Sequence, residues 1–306
     1  MERTLSFRED GSFRIMQLTD SHYEGDPSVD GKTRDLMARL VEWEKPDFIV
    51  HTGDAVWGER SEERLEAALE VLCASGIPWT FAFGNHDAEV LGNEKEILAH
   101  LMTMPGCVAF QGEDAGRVGD HVLRIRKGDQ PRWALCVLNS GTGDAPGGGY
   151  LPMLRSQTDW YRAQVRAMEK ESPDFGLLIF QHIAWPEYWD VWRYEETWGM
   201  RREGLSCPRV NGGLYAAALE AGHLRGVFVG HDHVNDFYGT LRGITLGYGR
   251  QSGYGSYSSP DYLRGCRMFE VREDNTEHFE TWMRLEDGRV VRSPWHRLPM
   301  EKRADT

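Results

Sequence analysis

Polar side chains that can hold metal ions follow five apolar segments of the sequence. The first two segments end in DSH at 20–22 and in GD at 53–54. The third ends in GNHD at 84–87, the fourth in His182, and the fifth in GHDH at 230–233. Carboxylate, amide and imidazole groups together suit first-row divalent metals, so manganese, iron and zinc are all admissible. The pattern predicts one metal site built from side chains that are far apart in the sequence.

The number of ligands favours two metal ions over one. Once His86 and Asp87 are set aside, and Asp232 is taken as a supporting residue, the motifs supply seven candidate ligands, namely Asp20, His22, Asp54, Asn85, His182, His231 and His233. Seven ligands give each of two ions four only if one carboxylate is shared. Such sites, with ions about 3.5–4 Å apart, clamp the attacking and leaving oxygens of an in-line displacement. An isolated D-x-H or GD motif is common in loops that bind no metal. Chance does not explain five such motifs at five predicted strand ends.

The elements that must position these ligands alternate between strands and helices. Apolar runs predict strands at 13–18, 47–51, 79–83, 133–138, 175–180 and 224–229. Helical spacing predicts helices at 33–44, 61–74 (with Ser61 as N-cap), 154–168 and 214–220. Hairpin-like runs follow at 235–241, 244–248, 267–271 and 277–283. This order predicts an α/β core of two packed sheets flanked by helices, with polar ligands at the carboxyl ends of strands.

Length and composition limit the classes of protein that fit. No linker divides residues 1–306, so we expect one domain, with 285–306 as a C-terminal extension. Hydrophobic residues make up 40% of the chain, which is too apolar for a disordered protein. The net charge of −13 argues against an extended nucleic-acid surface and against binding to anionic membranes. Five widely spaced cysteines, with no leader-like or membrane-spanning apolar run, predict a cytoplasmic protein.

The ordered motifs resemble those of the calcineurin-like metallophosphoesterase superfamily, over roughly residues 13–271. Three longer segments resemble its purple-acid-phosphatase-like branch: HIAWPEY at 182–188, EGLSCPRVNGGLY at 203–215 and GVFVGHDHVNDFYGTLRGITLGYG at 226–249. Membership implies a four-layered αββα sandwich of two mixed sheets flanked by helices, and a dinuclear centre of two divalent ions.

The resemblance also assigns the ligands to the two ions. It implies that the first ion is held by Asp20, His22 and His233, the second by Asn85, His182 and His231, and that Asp54 bridges them.

Two departures from related families narrow the expected chemistry. True purple acid phosphatases carry a tyrosine three residues after the bridging aspartate, where this chain has Trp57, and they lack a histidine at the place of His22. We therefore expect manganese, zinc or ferrous iron rather than a tyrosine-bound ferric ion. The segment GDAVWG also lacks the phosphate-binding arginine of the protein phosphatase motif GD-x-x-D-R-G, which argues against a dedicated protein phosphatase.

The expected activity is hydrolysis of a small-molecule phosphate ester, by a phosphatase or a phosphodiesterase, with a metal-activated hydroxide as nucleophile. We expect His86 to protonate the leaving oxygen or stabilise phosphoryl charge, beside the metals rather than on them. Asp87 would orient the His86 imidazole or support the loop backbone, and a turn or helix cap is an equal alternative. The sequence leaves the native metal, monoester or diester preference, and oligomeric state open.

Other residues carry weaker expectations. Asn211 is a candidate substrate contact or a helix N-cap. Arg250 is a candidate phosphate contact, although a solvated arginine in a hairpin connection is favoured. His51 and Asp232 are expected to support the ligands rather than bind metal. The aromatic segment 185–198 predicts either a rim that receives the organic part of a substrate or a segment packed on the body.

Two alternatives to a small-molecule esterase remain. A nuclease of the same superfamily should present a stripe of basic side chains along the path of the nucleic-acid backbone. The chain has only six lysines in 306 residues, which argues against such a stripe. A non-catalytic, metal-binding regulatory module would be expected to have lost some of the ligands, whereas all seven and His86 are present.

Overall fold

The computed structural model describes residues 5–58, 62–143, 145–146 and 148–299. The strands of the described residues are β1 (Leu5–Ser6), β2 (Ser12–Leu18), β3 (Phe48–His51), β4 (Trp79–Phe81), β5 (His121–Lys127), β6 (Gln130–Val137), β7 (Gly176–Phe180), β8 (Thr197–Trp198), β9 (Leu224–Val229), β10 (Tyr238–Leu241), β11 (Ile244–Tyr248), β12 (Gly265–Arg272), β13 (Asn275–Leu285), β14 (Val290–Val291) and β15 (His296–Arg297). The helices are α1 (Pro27–Glu44), α2 (Glu62–Ala74), α3 (Asn85–Leu91), α4 (Glu94–Leu101), α5 (Arg155–Glu171), α6 (Tyr188–Tyr194) and α7 (Leu214–Ala221).

The strands form two mixed sheets. The six-stranded sheet has the order β14-β13-β12-β2-β3-β4, and the nine-stranded sheet the order β1-β5-β6-β7-β9-β11-β10-β8-β15. Strands β2, β3 and β4 run parallel, as do β6, β7, β9 and β11. The remaining long strands, including β12, β13 and β5, pair antiparallel with a neighbour.

The two sheets face each other across an aromatic core. Phe13 and Ile15 of β2 point into this core, whereas Met16 and Leu18 of the same strand point to the helices outside. This alternation is the two-residue period of a strand that is buried on both faces. Phe269 and Phe228, one from each sheet, meet with ring centroids 4.4 Å apart at 67°. Packing between the sheets thus makes the two middle layers of the molecule.

Helices cover the outer face of each sheet, which confirms the predicted αββα sandwich. Helices α1 to α4 contribute buried residues to the core against the six-stranded sheet, and α5 to α7 to the core against the nine-stranded sheet. In α1 the buried residues Leu36, Met37 and Leu40 follow helical spacing. The predicted helices and the parallel strands are present, with boundaries that differ by a few residues.

The largest boundary difference is at the start of α1. The helix begins at Pro27, six residues before the predicted start at 33, because the Asp26 carboxylate accepts the Ser28 and Val29 amide hydrogens. Asp26-Pro27 is an N-cap followed by a proline at the first helical position. The predicted N-cap Ser61 lies outside the described residues. Strand β5 and helices α3 and α4 were not predicted.

The segment after Leu285 adds an edge strand to each sheet. Strand β14 pairs with β13 and β15 pairs with β8. None of the helices in the described parts of the chain is long and apolar enough to cross a bilayer.

The carboxyl ends of the parallel strands meet at one edge of the sandwich. The Asp20 amide donates to the Gly53 carbonyl, which joins the loops after β2 and β3. The Gly230 amide donates to the His182 carbonyl, which joins the loops after β9 and β7. Gln17 of β2 donates to the Val229 carbonyl across the two sheets. These contacts hold loops from both sheets against one another.

Candidate metal centre

The structure brings the predicted ligands together at this edge. Asp20 and His22 follow β2, Asp54 follows β3, and Asn85 is the first residue of α3. His182 follows β7, and the pair His231 and His233 follows β9. All seven side chains belong to buried residues, none more than 9% exposed. Buried carboxylates and imidazoles at this density require a compensating charge or partner.

The first group of ligand atoms comes from Asp20, His22, Asp54 and His233, all within 4.8 Å of one another. The two Nε2 atoms of His22 and His233 lie 3.0 Å apart. Asp20 Oδ1 lies 3.6 Å from His233 Nε2, and Asp54 Oδ2 lies 3.8 Å from His22 Nε2. Two nitrogens that bind one first-row cation at about 2.1 Å lie roughly 3 Å apart, so the group fits such an ion.

The second group comes from Asp54, His182 and His231. His182 Nε2 lies 3.1 Å from Asp54 Oδ2 and 3.2 Å from His231 Nδ1. Asn85 Oδ1 is buried and accepts no hydrogen bond. Asp54 Oδ2 is also buried, and no neighbouring donor, His182 Nε2 included, points at it well enough to form a hydrogen bond. Asp54 belongs to both groups. These unpartnered oxygens are the observation that fits a pair of cations sharing one carboxylate.

Neighbouring groups fix the orientation of the ligand side chains. His182 Nδ1 lies 2.7 Å from the Thr52 carbonyl, which directs Nε2 towards Asp54. His233 Nδ1 lies 2.9 Å from the Ser256 hydroxyl. The Thr19 hydroxyl donates to Asp20 Oδ2 over 2.8 Å. Such outer contacts select the ring nitrogen that faces a metal and hold the carboxylate in place.

Four of the predicted ligands have strained backbones. Among the described residues, seven that are not glycine have positive φ, and these include Asp20 (53°), His22 (45°), Asp54 (52°) and His231 (76°). The left-handed region is costly for residues with a Cβ and persists only where surrounding contacts enforce it. The concentration of this strain in one cluster marks it as a functional site.

Two glycines let the loops after β3 and β4 touch. A Cβ at Gly84 would lie 2.2 Å from Asp54 Oδ1, and one at Gly53 would lie 2.4 Å from the Gly84 nitrogen. Any side chain at either position would therefore push Asp54 away from Asn85. The glycines of the GD and GNHD motifs are required by this close approach.

The carboxylates and imidazoles of the cluster perturb one another. Although burial opposes it, the imidazoles of His182 and His22 hold the pKa of Asp54 well below its usual range. Although burial also opposes it, the Asp54 carboxylate raises the pKa of His182 above its usual range. The ionised Asp54 thus holds positive charge at the centre, either as a proton on His182 or as a cation.

Asp87 supports the loop backbone and does not orient His86. Its carboxylate accepts the amide hydrogens of Gly84, Asp54 and Ala55, at 2.8, 2.9 and 2.8 Å. The expectation that it orients the His86 ring is therefore wrong, because its acceptor sites face the backbone. Instead, His86 Nδ1 lies 2.7 Å from Glu89 Oε2, a contact that the sequence did not reveal.

We expect Asp87→Ala to lower the free energy of unfolding by roughly 3 kcal/mol, because three buried amides lose their acceptor. Asp26→Ala is the matched control, since it removes an exposed carboxylate that also caps helix amides and should cost about 1 kcal/mol. Urea titration of both variants measures the difference. Equal losses would show that the Asp87 hydrogen bonds contribute no more than an ordinary cap.

Asn211 and Arg250 lie outside both groups of ligand atoms. Asn211 is exposed, and its amide donates to Glu187 over 2.5 Å while its oxygen accepts the Gly213 amide hydrogen. Arg250 is buried, pairs with Asp236 and stacks on the Tyr262 ring. Both expectations for Arg250 are therefore wrong, because its guanidinium is neither solvated nor available to a phosphate.

We expect Arg250→Met to cost roughly 3–5 kcal/mol of stability, because it leaves the Asp236 carboxylate buried without its ion-pair partner. Arg155→Met is the control, since Arg155 faces Asp159 with 94% of its side chain exposed and should cost less than about 1 kcal/mol. Thermal unfolding of the two variants compares them. A loss no larger than that of the control would contradict the structural role of Arg250.

His51 and Asp232 each contact a neighbouring hydroxyl group, and their expected support of the ligands stays a prediction. His51 Nε2 lies 2.9 Å from the Ser21 hydroxyl, and burial lowers the pKa of this imidazole to about 3. Asp232 accepts the Tyr248 hydroxyl hydrogen over 2.6 Å. Neither belongs to the groups of ligand atoms.

Three aromatic rings at the edge of the cluster contact its imidazoles. Trp57 meets His86 with ring centroids 4.2 Å apart at 88°, Tyr150 meets His231 at 4.5 Å, and Tyr257 stacks on His233 at 4.3 Å. We call these three residues the aromatic edge. Tyr150 and Tyr257 were not predicted, because they follow no polar motif. Trp57 is 42% exposed and Tyr257 is 56% exposed.

The segment 185–198 is packed on the body. Trp185 is buried and donates to Gln181 over 3.0 Å, and the buried Tyr188 donates to the Val227 carbonyl over 2.8 Å. The aromatic face of helix α6 thus packs against the nine-stranded sheet. The structure supports the packing alternative for this segment and not the substrate rim.

The fold and the cluster together define a metallophosphoesterase type of protein. The family model for calcineurin-like phosphoesterases matches residues 13–235, and the chain belongs to that family. Its similarity to two proteins of Arabidopsis thaliana supports the purple-acid-phosphatase-like branch. These are named probable inactive purple acid phosphatase 14 and 29. Each is 30% identical over 93% of this chain, covering 83% and 85% of the relative.

Two further similarities are more distant. Phosphatase DCR2 of Saccharomyces cerevisiae is 27% identical over 90% of this chain and 54% of its own length. A solved dimetal phosphatase from Danio rerio matches with a TM-score of 0.59 at 12% identity, over 93% of this chain and 98% of that one. At that identity the structural match supports the fold alone.

Proposed function

We propose that this protein hydrolyses phosphoric esters of small molecules at a centre of two divalent metal ions, manganese, iron or zinc. The observation that carries the proposal is the position of Asp54, whose carboxylate belongs to both groups of buried ligands. A shared carboxylate between two histidine-containing groups is the arrangement that a dinuclear hydrolytic centre requires.

The residues fit two cations. Asp20, His22 and His233 would hold one ion, Asn85, His182 and His231 the other, and Asp54 both. Bound divalent ions would supply a hydroxide nucleophile at neutral pH and neutralise charge on the phosphoryl oxygens.

His86 is proposed to act on the ester from the open side of the centre. Its Nε2 lies 3.9 Å from Asp54 Oδ2, and 24% of its side chain is exposed. Its amide hydrogen is donated to Asp54 Oδ1 over 2.9 Å, which fixes the backbone of His86 against the centre. A proton on Nε2 would pass to the ester oxygen as the bond from that oxygen to phosphorus breaks.

The aromatic edge supports an organic substrate. Trp57 and Tyr257 expose ring surface beside the imidazoles of His86 and His233. Such surface favours contact with an apolar or planar alcohol group, and Tyr257 is held in place by a hydrogen bond to Glu203 of 2.6 Å. Trp57 cannot bind a ferric ion as a phenolate would, so we propose a colourless enzyme.

A non-catalytic metal-binding module is the second candidate, because the two plant relatives are named probable inactive. The presence of all seven ligands in one buried arrangement, with the partly exposed His86 beside it, supports catalysis instead. Metal content and hydrolysis distinguish the two, since a module would bind metal and leave esters intact.

The activity is tested on chelator-stripped protein resupplied with manganese. Hydrolysis of p-nitrophenyl phosphate is compared with that of bis(p-nitrophenyl) phosphate. We expect manganese-dependent turnover of one ester or both, and the preferred ester separates a phosphatase from a phosphodiesterase. A diester preference would also call for tests on oligonucleotides. Bound manganese with both esters intact would support the non-catalytic module.

Metal retention should depend on pH. Four of the seven ligands are imidazoles that must be deprotonated to bind. Burial lowers the pKa of His22, His231 and His233, so these three are neutral without a metal. The Asp54 carboxylate raises the pKa of His182 although burial opposes it, so a proton on His182 competes with the cation. Apparent affinity for manganese should fall as pH falls, by up to about tenfold per pH unit for the one proton displaced from His182. Metal analysis after dialysis at pH 7.5 and pH 5 checks this. Equal retention at both values would contradict competition between a proton and the metal ion at His182.

A further inference from the structure

We propose that Glu89 is the positioning residue that sets the orientation of the His86 imidazole. This inference rests on the proposed function, in which His86 protonates the leaving oxygen. It assigns a role to a carboxylate that belongs to neither group of potential metal ligands.

The contact between the two side chains is direct. Glu89 lies one helical turn after His86 in α3, and its Oε2 is 2.7 Å from His86 Nδ1. An ionised carboxylate can only accept, so the Nδ1 atom carries the hydrogen of this contact. The pair therefore fixes which ring nitrogen faces outward to Glu89 and which faces the centre.

The surroundings of the ring leave Nε2 for the ester. Nε2 lies on the side of Asp54, at 3.9 Å from its Oδ2. The planes of the Trp57 and His86 rings meet at 88°, and the centroid of the His22 ring lies 5.7 Å from that of His86. Trp57 and Glu89 together restrict rotation of the imidazole, because one contacts the ring and the other holds Nδ1.

Among the residues that the structure describes, Asp87 and Asp54 are the other carboxylates beside His86, and both have different contacts. Asp87 is committed to three backbone amides, and Asp54 faces the ligand groups. If Glu89 had only a structural role, its contact with His86 would be an ordinary exposed ion pair between residues one turn apart on a helix. Such pairs have little effect on stability and none on the chemistry of a remote group.

The first test compares two esters that differ in leaving group. In manganese-loaded Glu89→Ala, kcat for phenyl phosphate should fall by about 10–100-fold, the usual loss when an outer partner of a functional side chain is removed. The fall for p-nitrophenyl phosphate should be several-fold smaller, because nitrophenolate leaves without a proton. KM should stay unchanged for both. Glu89→Gln, whose amide oxygen can still accept from Nδ1, should restore part of the loss.

The matched control is Glu66→Ala. Glu66 lies 3.2 Å from His100 in an exposed pair on α2 and α4, so the variant removes a similar contact away from the centre. It should retain full kcat on both esters. A Glu89→Ala variant that behaves like Glu66→Ala, or that loses both esters equally through KM, would overturn the positioning role.

A second measurement does not depend on turnover. Histidine labelled with ¹⁵N reports which ring nitrogens carry hydrogen, and His86 is assigned by the signal that His86→Asn removes. In zinc-loaded protein we expect Nδ1 to carry hydrogen in the wild type and in Glu66→Ala, both before and after Nε2 takes up the proton that it gives to the ester, and a mixture of ring forms in Glu89→Ala. An unchanged ring form in Glu89→Ala would overturn the inference. Loaded wild-type protein that hydrolyses neither ester would instead contradict the proposed function.

Discussion

Replacing Asp54 with asparagine is expected to lower kcat/KM by roughly a thousandfold or more, because both ions of a two-metal site would lose a shared anionic ligand. Asp54 Oδ2 lies 3.1 Å from His182 Nε2 and 3.8 Å from His22 Nε2, so one substitution affects both groups. The asparagine is nearly isosteric, and the loss should come from charge rather than from packing. Metal content should fall together with activity.

The control for this variant is Asp47→Asn. Asp47 is a partly buried carboxylate that pairs with Arg8 at 2.8 Å and lies outside the centre. Its asparagine variant should keep normal metal content and activity. Near-full activity of Asp54→Asn with normal metal content would contradict the assignment of Asp54 as the shared ligand.

Replacing His86 with asparagine should lower kcat by about 10²–10⁴-fold, the range usual for a positioned general acid, while metal content stays at the wild-type level. His86 stands beside the ligand groups and is partly exposed, so it is expected to act on the ester without holding an ion. Kinetics and metal analysis of the same preparation separate these two properties.

His100→Asn is the control for the His86 variant, since His100 is a partly exposed histidine that contacts Glu66 on a remote surface. It should leave both properties unchanged. Loss of metal in His86→Asn would make His86 a ligand, and unchanged kcat would remove it from the chemistry.

The ligand set could be predicted from the sequence because its signal is local. Each motif directly follows an apolar run, and strand ends in α/β sheets gather at one edge. The structure brings Asp20, Asp54 and His182 together as this rule implies. The four-layered arrangement could also be predicted, since strand–helix alternation followed by hairpins leaves few ways to cover two sheets.

Residues whose role depends on distant partners could not be predicted. Arg250 looked like a loop arginine, yet it is buried against Asp236, and no local pattern indicates that pairing. Tyr150 and Tyr257 reach the centre through loops that follow no periodic pattern. Glu89 was accessible in principle, because a carboxylate three residues after a histidine shares its helix face once α3 is recognised.

The strained backbone of the ligand residues could not be predicted from the sequence either. The positive φ angles of Asp20, His22 and Asp54 arise from the contacts between loops of different strands. Aspartate and histidine enter the left-handed region more often than most residues with a Cβ, but they do so too rarely for residue type alone to predict it. The close packing of Gly53 against Gly84 likewise became evident only when the two loops were placed together.

The measurement that tests the dinuclear centre most directly is the manganese stoichiometry and electron paramagnetic resonance spectrum of the reloaded protein. We predict two ions per chain and the spectrum of a magnetically coupled pair, because one carboxylate joins the two groups of ligands. Asp54→Asn should lose the coupling. One ion per chain in the wild type, or two ions with independent spectra, would contradict a centre bridged by Asp54.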